Sequence, residues 1–211
     1  MDTPRFDRVI DSIDALRSII PAPADLVIKK QLPSLDAHAR SYIARSPFVV
    51  IGTCGSSGGC DVSPRGEAPG GFLVLDDKTI AIGDRPGNRR TDSFGNLFEN
   101  PRIGLLFLVP GVDETLRVNG RAKLVVDAKL FEKLAVGGKP PLLALVVEVE
   151  EVFFQCAKAF KRSKLWDPKS WPDPALQPSL ARVLKDQVPS CEMSTEALDQ
   201  LIQEAYRDKL Y

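Results

Sequence analysis

The sequence predicts a mainly β fold, a small closed or partly closed antiparallel barrel with helices at both ends. Three observations carry this. Six or seven apolar or alternating runs with β-forming composition lie between residues 48 and 154. Most are joined by short turns, which makes neighbours antiparallel. Short strands that must hide their edges favour closure, and helical periodicity gathers at the two ends of the chain, without the strand–helix alternation of a Rossmann sheet.

The elements follow in order. Thr3-Pro4 has the composition of a cap and first turn, and Phe6, Val9, Ile10, Ile13 and Leu16 repeat at helical spacing until Pro21. Residues 21–24 read as a linker, and residues 34–45 as a second amphipathic helix ended by Ser46-Pro47. Residues 48–53 form a buried strand, residues 55–59 a hairpin loop, and Asp61, Val62 and Ser63 the return strand, which meets Pro64-Arg65-Gly66. Residues 72–75 and 79–82 make the next pair of strands around Asp76-Asp77-Lys78. Phe94, Leu97 and Phe98 mark a helix stopped at Asn100-Pro101, and residues 103–109 a continuous apolar strand. Residues 115–126 alternate, with Leu116, Val118, Gly120 and Ala122 on one face and Arg117, Asn119, Arg121 and Lys123 on the other. A short helix over residues 128–134, a long strand over 143–154 and a final helix from near Ser194 complete the chain, with prolines breaking up the segment after Trp166.

Composition removes several function classes. The 28 basic and 28 acidic side chains balance, against the basic excess of a nucleic-acid binder. No apolar run approaches the roughly 20 residues of a membrane span, and the first residues lack a signal-peptide pattern, so a cytoplasmic protein is expected. The four cysteines, Cys54, Cys60, Cys156 and Cys191, form no C-x-x-C pair and the chain has one histidine, so no metal site is expected. Cys54 and Cys156 are expected as small buried residues near strand ends, and His38, on a stripe with Leu35, Tyr42 and Ile43, as a core or interface residue. Ser63 has no histidine to activate it. No G-x-G-x-x-G or Walker motif is present.

One stretch carries chemistry. Asp84-Arg85-Pro86-Gly87-Asn88-Arg89-Arg90-Thr91-Asp92 reads as a turn running into a helix, with Asn88 as its N-cap. A helix start already carries about half a positive charge, so Arg85, Arg89 and Arg90 raise the energy there unless an anion joins them. Free N–H groups plus arginines at such a position suit a phosphate, and the stretch is read as a site for a phosphorylated cofactor, the alternative being three exposed arginines that point into water.

Several motifs together resemble the pyridoxamine 5′-phosphate oxidase-like FMN-binding proteins. They are Ser63-Pro64-Arg65-Gly66, the run from Gly83 to Arg90, the run from Asn100 to Phe107, the run from Glu114 to Ala122, and the stretches Cys156-Ala157-Lys158 and Arg162 to Trp166. The resemblance covers residues 30–170 and is nearest the subgroup of FMN-dependent enzymes without a defined substrate. It implies a six-stranded antiparallel split β-barrel, an obligate homodimer, and FMN in a groove at the subunit interface. Ser63, Arg65 and Gly66 match the strand facing the flavin. Ile82, Gly83 and Asp84 match the strand end that lines the ring, and Asn88, Arg89 and Arg90 match the run that grips the phosphate. Arg117 and Asn119 match positions that reach the flavin from the other subunit, with Lys158 to Trp166 closing the pocket. The organisation it implies is a helical extension over residues 1–30, the FMN-binding domain over 31–165, and a helical tail over 166–211 packed on the barrel or the partner.

The chain also departs from the oxidases. Glu67-Ala68-Pro69-Gly70 stands where a longer basic strand would follow Arg65, and the C-terminal substrate residues, a histidine among them, have no counterpart. Vitamin B6 oxidation is therefore not expected, and no catalytic side chain is assigned. The expected function is an FMN-dependent oxidoreductase on a small molecule. The alternatives are a flavin carrier or redox sensor without turnover, a deazaflavin (F420)-dependent reductase and, weakest because of the single histidine, a haem protein.

Overall fold

The computed structural model describes residues 6–211. Three short helices, α1 (Ile13–Arg17), α2 (Asp25–Lys29) and α3 (Ala37–Arg45), precede β1 (Phe48–Cys54), β2 (Cys60–Gly66), β3 (Leu73–Val74) and β4 (Thr79–Gly83). Then come α4 (Asp92–Glu99), β5 (Arg102–Leu108), β6 (Thr115–Val125), α5 (Ala128–Leu134) and β7 (Ala144–Gln155). The chain finishes with α6 (Lys158–Ser163), two single-turn 3₁₀ helices, α7 (Leu180–Gln187) and α8 (Thr195–Asp208).

The seven strands form one antiparallel sheet in the order β2-β1-β5-β6-β7-β4-β3. It curls into a split barrel whose hydrogen-bonded ladder stops at β2 on one side and β3 on the other. The seven strands are those read along the sequence, one more than the six the resemblance implies, and β3 covers two of the four residues expected over 72–75. Alternation puts Val49, Ile51, Leu105, Phe107, Leu116, Val118 and Val147 inside, each almost fully buried. Leu35, Ala39, Tyr42 and Ile43 of the α3 region belong to the same core. The Tyr42 hydroxyl donates to the Glu114 carbonyl at 2.6 Å, and its ring meets Phe154 edge-on at 5.4 Å.

The long pair β6–β7 contains a β-bulge. Asn119 opposes Glu151 while Gly120 opposes Val149, leaving Glu150 as the extra residue. The buried positions of β7 accordingly change phase, from Val147 and Val149 to Val152. Gly120 is required at this crossing, because a Cβ there would stand 2.0 Å from the main-chain oxygen of Glu148. Only backbone could give way. Gly120→Ala is therefore expected to cost about 1–3 kcal/mol, as other overpacking changes do, read as a lower urea midpoint with an unchanged slope.

The chain ends depart from the sequence reading. Thr3-Pro4 lies outside the described residues, and the first helix begins only at Ser12, whose hydroxyl accepts from the Ala15 N–H. Phe6, Val9 and Ile13 carry the helical period but stay exposed. Without a surface to bury its stripe, a short helix gains too little to extend. Beyond α2, Leu32 exchanges two hydrogen bonds with Val152 and ties this segment to β7. In the proline-rich region α7 was not foreseen; it is capped by Ser179 and packs on α8 through the buried Ala181 and Leu198. His38 is exposed on α3, its place on the buried stripe taken by Ala39. Among the described residues, no helix is long and apolar enough to cross a membrane.

Candidate functional site

On β2 the side chains of Asp61, Ser63 and Arg65 share the face of their partners Thr53, Ile51 and Val49. They look toward the barrel mouth, where α4 covers them. Asn96 of α4 donates to Asp61 at 2.8 Å and to Thr53 at 3.1 Å, fixing the helix on the sheet. Arg65 donates to Ser63 Oγ at 2.5 Å and to the Pro64 carbonyl at 2.9 Å, with its guanidinium 5.6 Å from the Phe94 ring centre. Burial lowers the Arg65 pKa and the Asp84 carboxylate opposes that shift. Arginine titrates so high that the side chain stays cationic.

β4 delivers the second wall. Ile82 and Gly83 are buried, and the Asp84 N–H donates to the Leu143 carbonyl at 2.9 Å. Asp84 has its pKa raised, first by burial, with Arg65 and Arg85 pulling it back. A carboxyl whose folded pKa lies above its unfolded value contributes stability at low pH that is lost as pH rises through the folded pKa. Asp84→Asn is therefore expected to raise the melting temperature at neutral pH, the gain vanishing below the ordinary carboxylate range; melting curves across pH read this directly.

Arg85 corrects the reading of three arginines around one anion. Its Nε donates to Glu67 at 2.5 Å and its Nη2 to the Leu134 carbonyl at 2.7 Å, with the side chains 13% and 2% exposed. Glu67 is buried, Arg85 is partly buried and also lines the cavities at this corner, and the pair bolts the end of β2 to the end of β4. Glu67 Oε2 is buried without a hydrogen-bond partner. The departure noted after Arg65 thus has a structural role that no local pattern displayed.

The loop after Arg85 also differs from expectation. Asn88 does not cap the helix: its side-chain oxygen accepts from the Arg90 N–H at 3.1 Å, and α4 starts at Asp92 behind Thr91. Arg89 and Thr91 hold φ of 61° and 58°. Left-handed backbone interrupts a right-handed helix, and at a β-branched threonine it is strained. Such strain gathers at ligand sites. Arg90 pairs with Asp92 at 2.7 Å, so the helix start carries an acid of its own. Arg89 belongs to no ion pair among the described residues. Phe94 and Leu97 are buried as expected, but Phe98 is 80% exposed.

Two adjoining cavities open here. One of about 290 Å³ is lined by Arg65, Gly66, Ile82, Gly83 and Asp84; the other, about 810 Å³, by Asp84, Asn88 and Arg89 with Lys139 and Tyr206. Both are also lined by Tyr211, whose ring sits 5.3 Å from the Arg85 guanidinium. The remaining sequence-derived residues lie elsewhere in the chain. Arg117 and Asn119 are on the outer face of β6, where Asn119 donates to Glu151 at 2.8 Å and Arg117 approaches it at 3.6 Å. The bulge turns Glu150 and Glu151 both toward that face, beside a third cavity of about 610 Å³. Lys158 is exposed on α6, and Trp166 donates to the Val112 carbonyl at 3.0 Å while stacking on Phe160. Cys156 is exposed and Cys54 half-buried, not sealed in the core as expected. No acidic, cysteine or histidine cluster among the described residues could hold a metal.

The family model described as pyridoxamine 5′-phosphate oxidase matches residues 35–156, more than half of the chain. The protein belongs to the pyridoxamine 5′-phosphate oxidase family. Membership places it among flavin-binding, oxidoreductase-type proteins. No curated protein matches it. Solved structures similar to it include HupZ of Group A Streptococcus, 17% identical, covering 57% of this chain and 93% of that one at a TM-score of 0.45. Another is an FMN-binding protein of Syntrophomonas wolfei, 16% identical over 56% of this chain and 84% of that one, TM-score 0.44. A third is a conserved hypothetical protein of Mycobacterium tuberculosis, 12% identical over 69% and 93%, TM-score 0.45.

Proposed function

We propose that the protein binds FMN and acts as a homodimeric FMN-dependent oxidoreductase on a small organic molecule. The observation that carries this reading is the loop before α4. It holds a strained backbone and an arginine, Arg89, with no ion-pair partner among the described residues, at the wall of a cavity adjoining the one at the ends of β2 and β4. A phosphate monoester carries nearly two negative charges and suits such a place.

In this reading Asn88, Arg89 and Arg90 hold the phosphate, Arg90 keeping Asp92 as a second partner. Ser63, Arg65, Gly66, Ile82, Gly83 and Asp84 line the ring. When bound, FMN supplies the hydride chemistry, and the chain positions it, tunes it and shapes access. Arg65, clamped by Ser63 and the Pro64 carbonyl, presents a fixed cation where negative charge grows on reduction. The buried Glu67–Arg85 pair keeps the two strand ends at a constant separation. Arg117 and Asn119, with Lys158 and Trp166, complete the groove from a second copy of the chain, consistent with their lining neither of the two cavities beside Arg65 and Arg89.

The test is the absorption spectrum of the freshly purified protein and the mass of what it releases on boiling. The expected result is a yellow protein releasing one FMN per chain and bleached by a nicotinamide donor. Release of a deazaflavin or haem overturns the cofactor. Bound FMN that no donor reduces overturns turnover and leaves a carrier or sensor.

A further inference from the structure

Cys54 and Cys60 stand directly opposite each other at the end of the β1–β2 hairpin. The ladder settles which kind of pair they form. Gly55 N–H donates to the Gly59 carbonyl, and at the other end Glu67 N–H donates to the Pro47 carbonyl. Hydrogen-bonded and non-hydrogen-bonded pairs alternate along an antiparallel ladder. Cys54–Cys60 therefore falls on a non-hydrogen-bonded position. Pro64, which has no N–H to give, falls opposite Val50 in the same class. In such pairs the Cα atoms approach to about 4.5 Å, at the short end of the range a disulfide spans.

The Cys54 thiol donates to the Gly55 carbonyl at 3.4 Å and the Cys60 thiol to the Gly58 carbonyl at 3.7 Å, so neither is committed to a distant partner. The Cys54 thiol is pushed up, first by the neighbouring Cys60 thiol and then by desolvation. Cys60 is exposed and Cys54 partly so, and both line the outer cavity of about 610 Å³. Neither takes part in the phosphate loop or the walls assigned to the ring. Cys156 and Cys191 have no cysteine opposite them among the described residues.

We propose that Cys54 and Cys60 are a redox modification site, closing to a cross-strand disulfide by exchange with a small-molecule disulfide such as oxidised glutathione. Cys60, the more exposed sulfur, attacks one sulfur of the oxidant as its thiolate. A mixed disulfide forms and one thiolate leaves. Cys54 then gives up its proton and attacks the Cys60 sulfur, expelling the second thiolate. Two protein thiols and one oxidant disulfide become one protein disulfide and two small thiols, a two-electron exchange. Exposed cross-links of this kind are the labile and regulatory ones rather than permanent staples. The reading is independent of which cofactor the chain holds.

The experiment treats the reduced, cofactor-loaded protein with oxidised glutathione under native conditions, followed by quenching, thiol counting and peptide mapping. Wild type is expected to lose two of its four thiols, retain no glutathione, and yield a peptide joining Cys54 to Cys60. Cys54→Ser is expected to stop at the mixed disulfide and retain one glutathione on Cys60. A reducing agent restores the starting mass in both. Wild type that accumulates glutathione without closing, that leaves Cys54 and Cys60 reduced, or that bridges to Cys156, to Cys191 or to a second chain overturns the proposal. Because the decisive arm uses wild type, misfolding of a variant does not obscure it.

Discussion

Replacing Glu67 with alanine is expected to lower folding stability by about 3–5 kcal/mol, the usual cost of stranding one member of a buried ion pair. The Arg85 guanidinium would keep only the Leu134 carbonyl as a described hydrogen-bond partner in an interior position. The charge cannot be relieved by deprotonation, because arginine does not titrate in the accessible range. Replacing both partners with apolar residues of similar size, Glu67→Leu with Arg85→Met, is expected to recover most of the loss, since well-packed apolar substitutes for buried pairs are often neutral or better. Urea denaturation of the three proteins decides it. A single variant as stable as wild type would show that the pair does not join β2 to β4 as described.

The second large effect concerns the phosphate loop. Arg89→Ala with Arg90→Ala is expected to cost several kcal/mol of FMN affinity, since hydrogen bonds to charged groups contribute about 1.5–3 kcal/mol each. The single variants should be unequal. Arg89 has no carboxylate partner and loses only ligand contacts when truncated. Arg90 already spends one donor on Asp92, so its removal also frees an acid beside the phosphate. Fluorescence titration of the apoprotein measures both, and a double variant that purifies fully loaded would remove the phosphate assignment.

Much of the barrel was legible in the sequence because its signal is local. Period-two alternation located β6 within a residue at its end, and the apolar runs located β1, β5 and β7. The short helix expected over residues 128–134 is α5 over those residues, and the structure adds Asp127 as its N-cap. Other features depend on what the chain meets in three dimensions. The stripe through Val9, Ile10 and Ile13 has helical period, but these side chains stay exposed. The Glu67–Arg85 pair joins residues 18 apart that become neighbours only when β2 and β4 end at the same corner. The bulge at Glu150 is silent in the run Glu148-Val149-Glu150-Glu151, and two left-handed residues delay α4 in a way that turn chemistry alone did not foretell. The loop's arginines were visible from composition; their division of labour was not. Arg85 pairs with Glu67, Arg90 with Asp92, and Arg89 belongs to no ion pair among the described residues.

Pro64 carries one more implication, for assembly. β2 closes one end of the hydrogen-bonded order, and its outward row of amides is the natural docking rail for a strand from another molecule. Pro64 sits on that rail with its ring nitrogen aimed away from β1, so one rung lacks a donor. Sheet growth by edge-to-edge annealing is therefore disfavoured along β2.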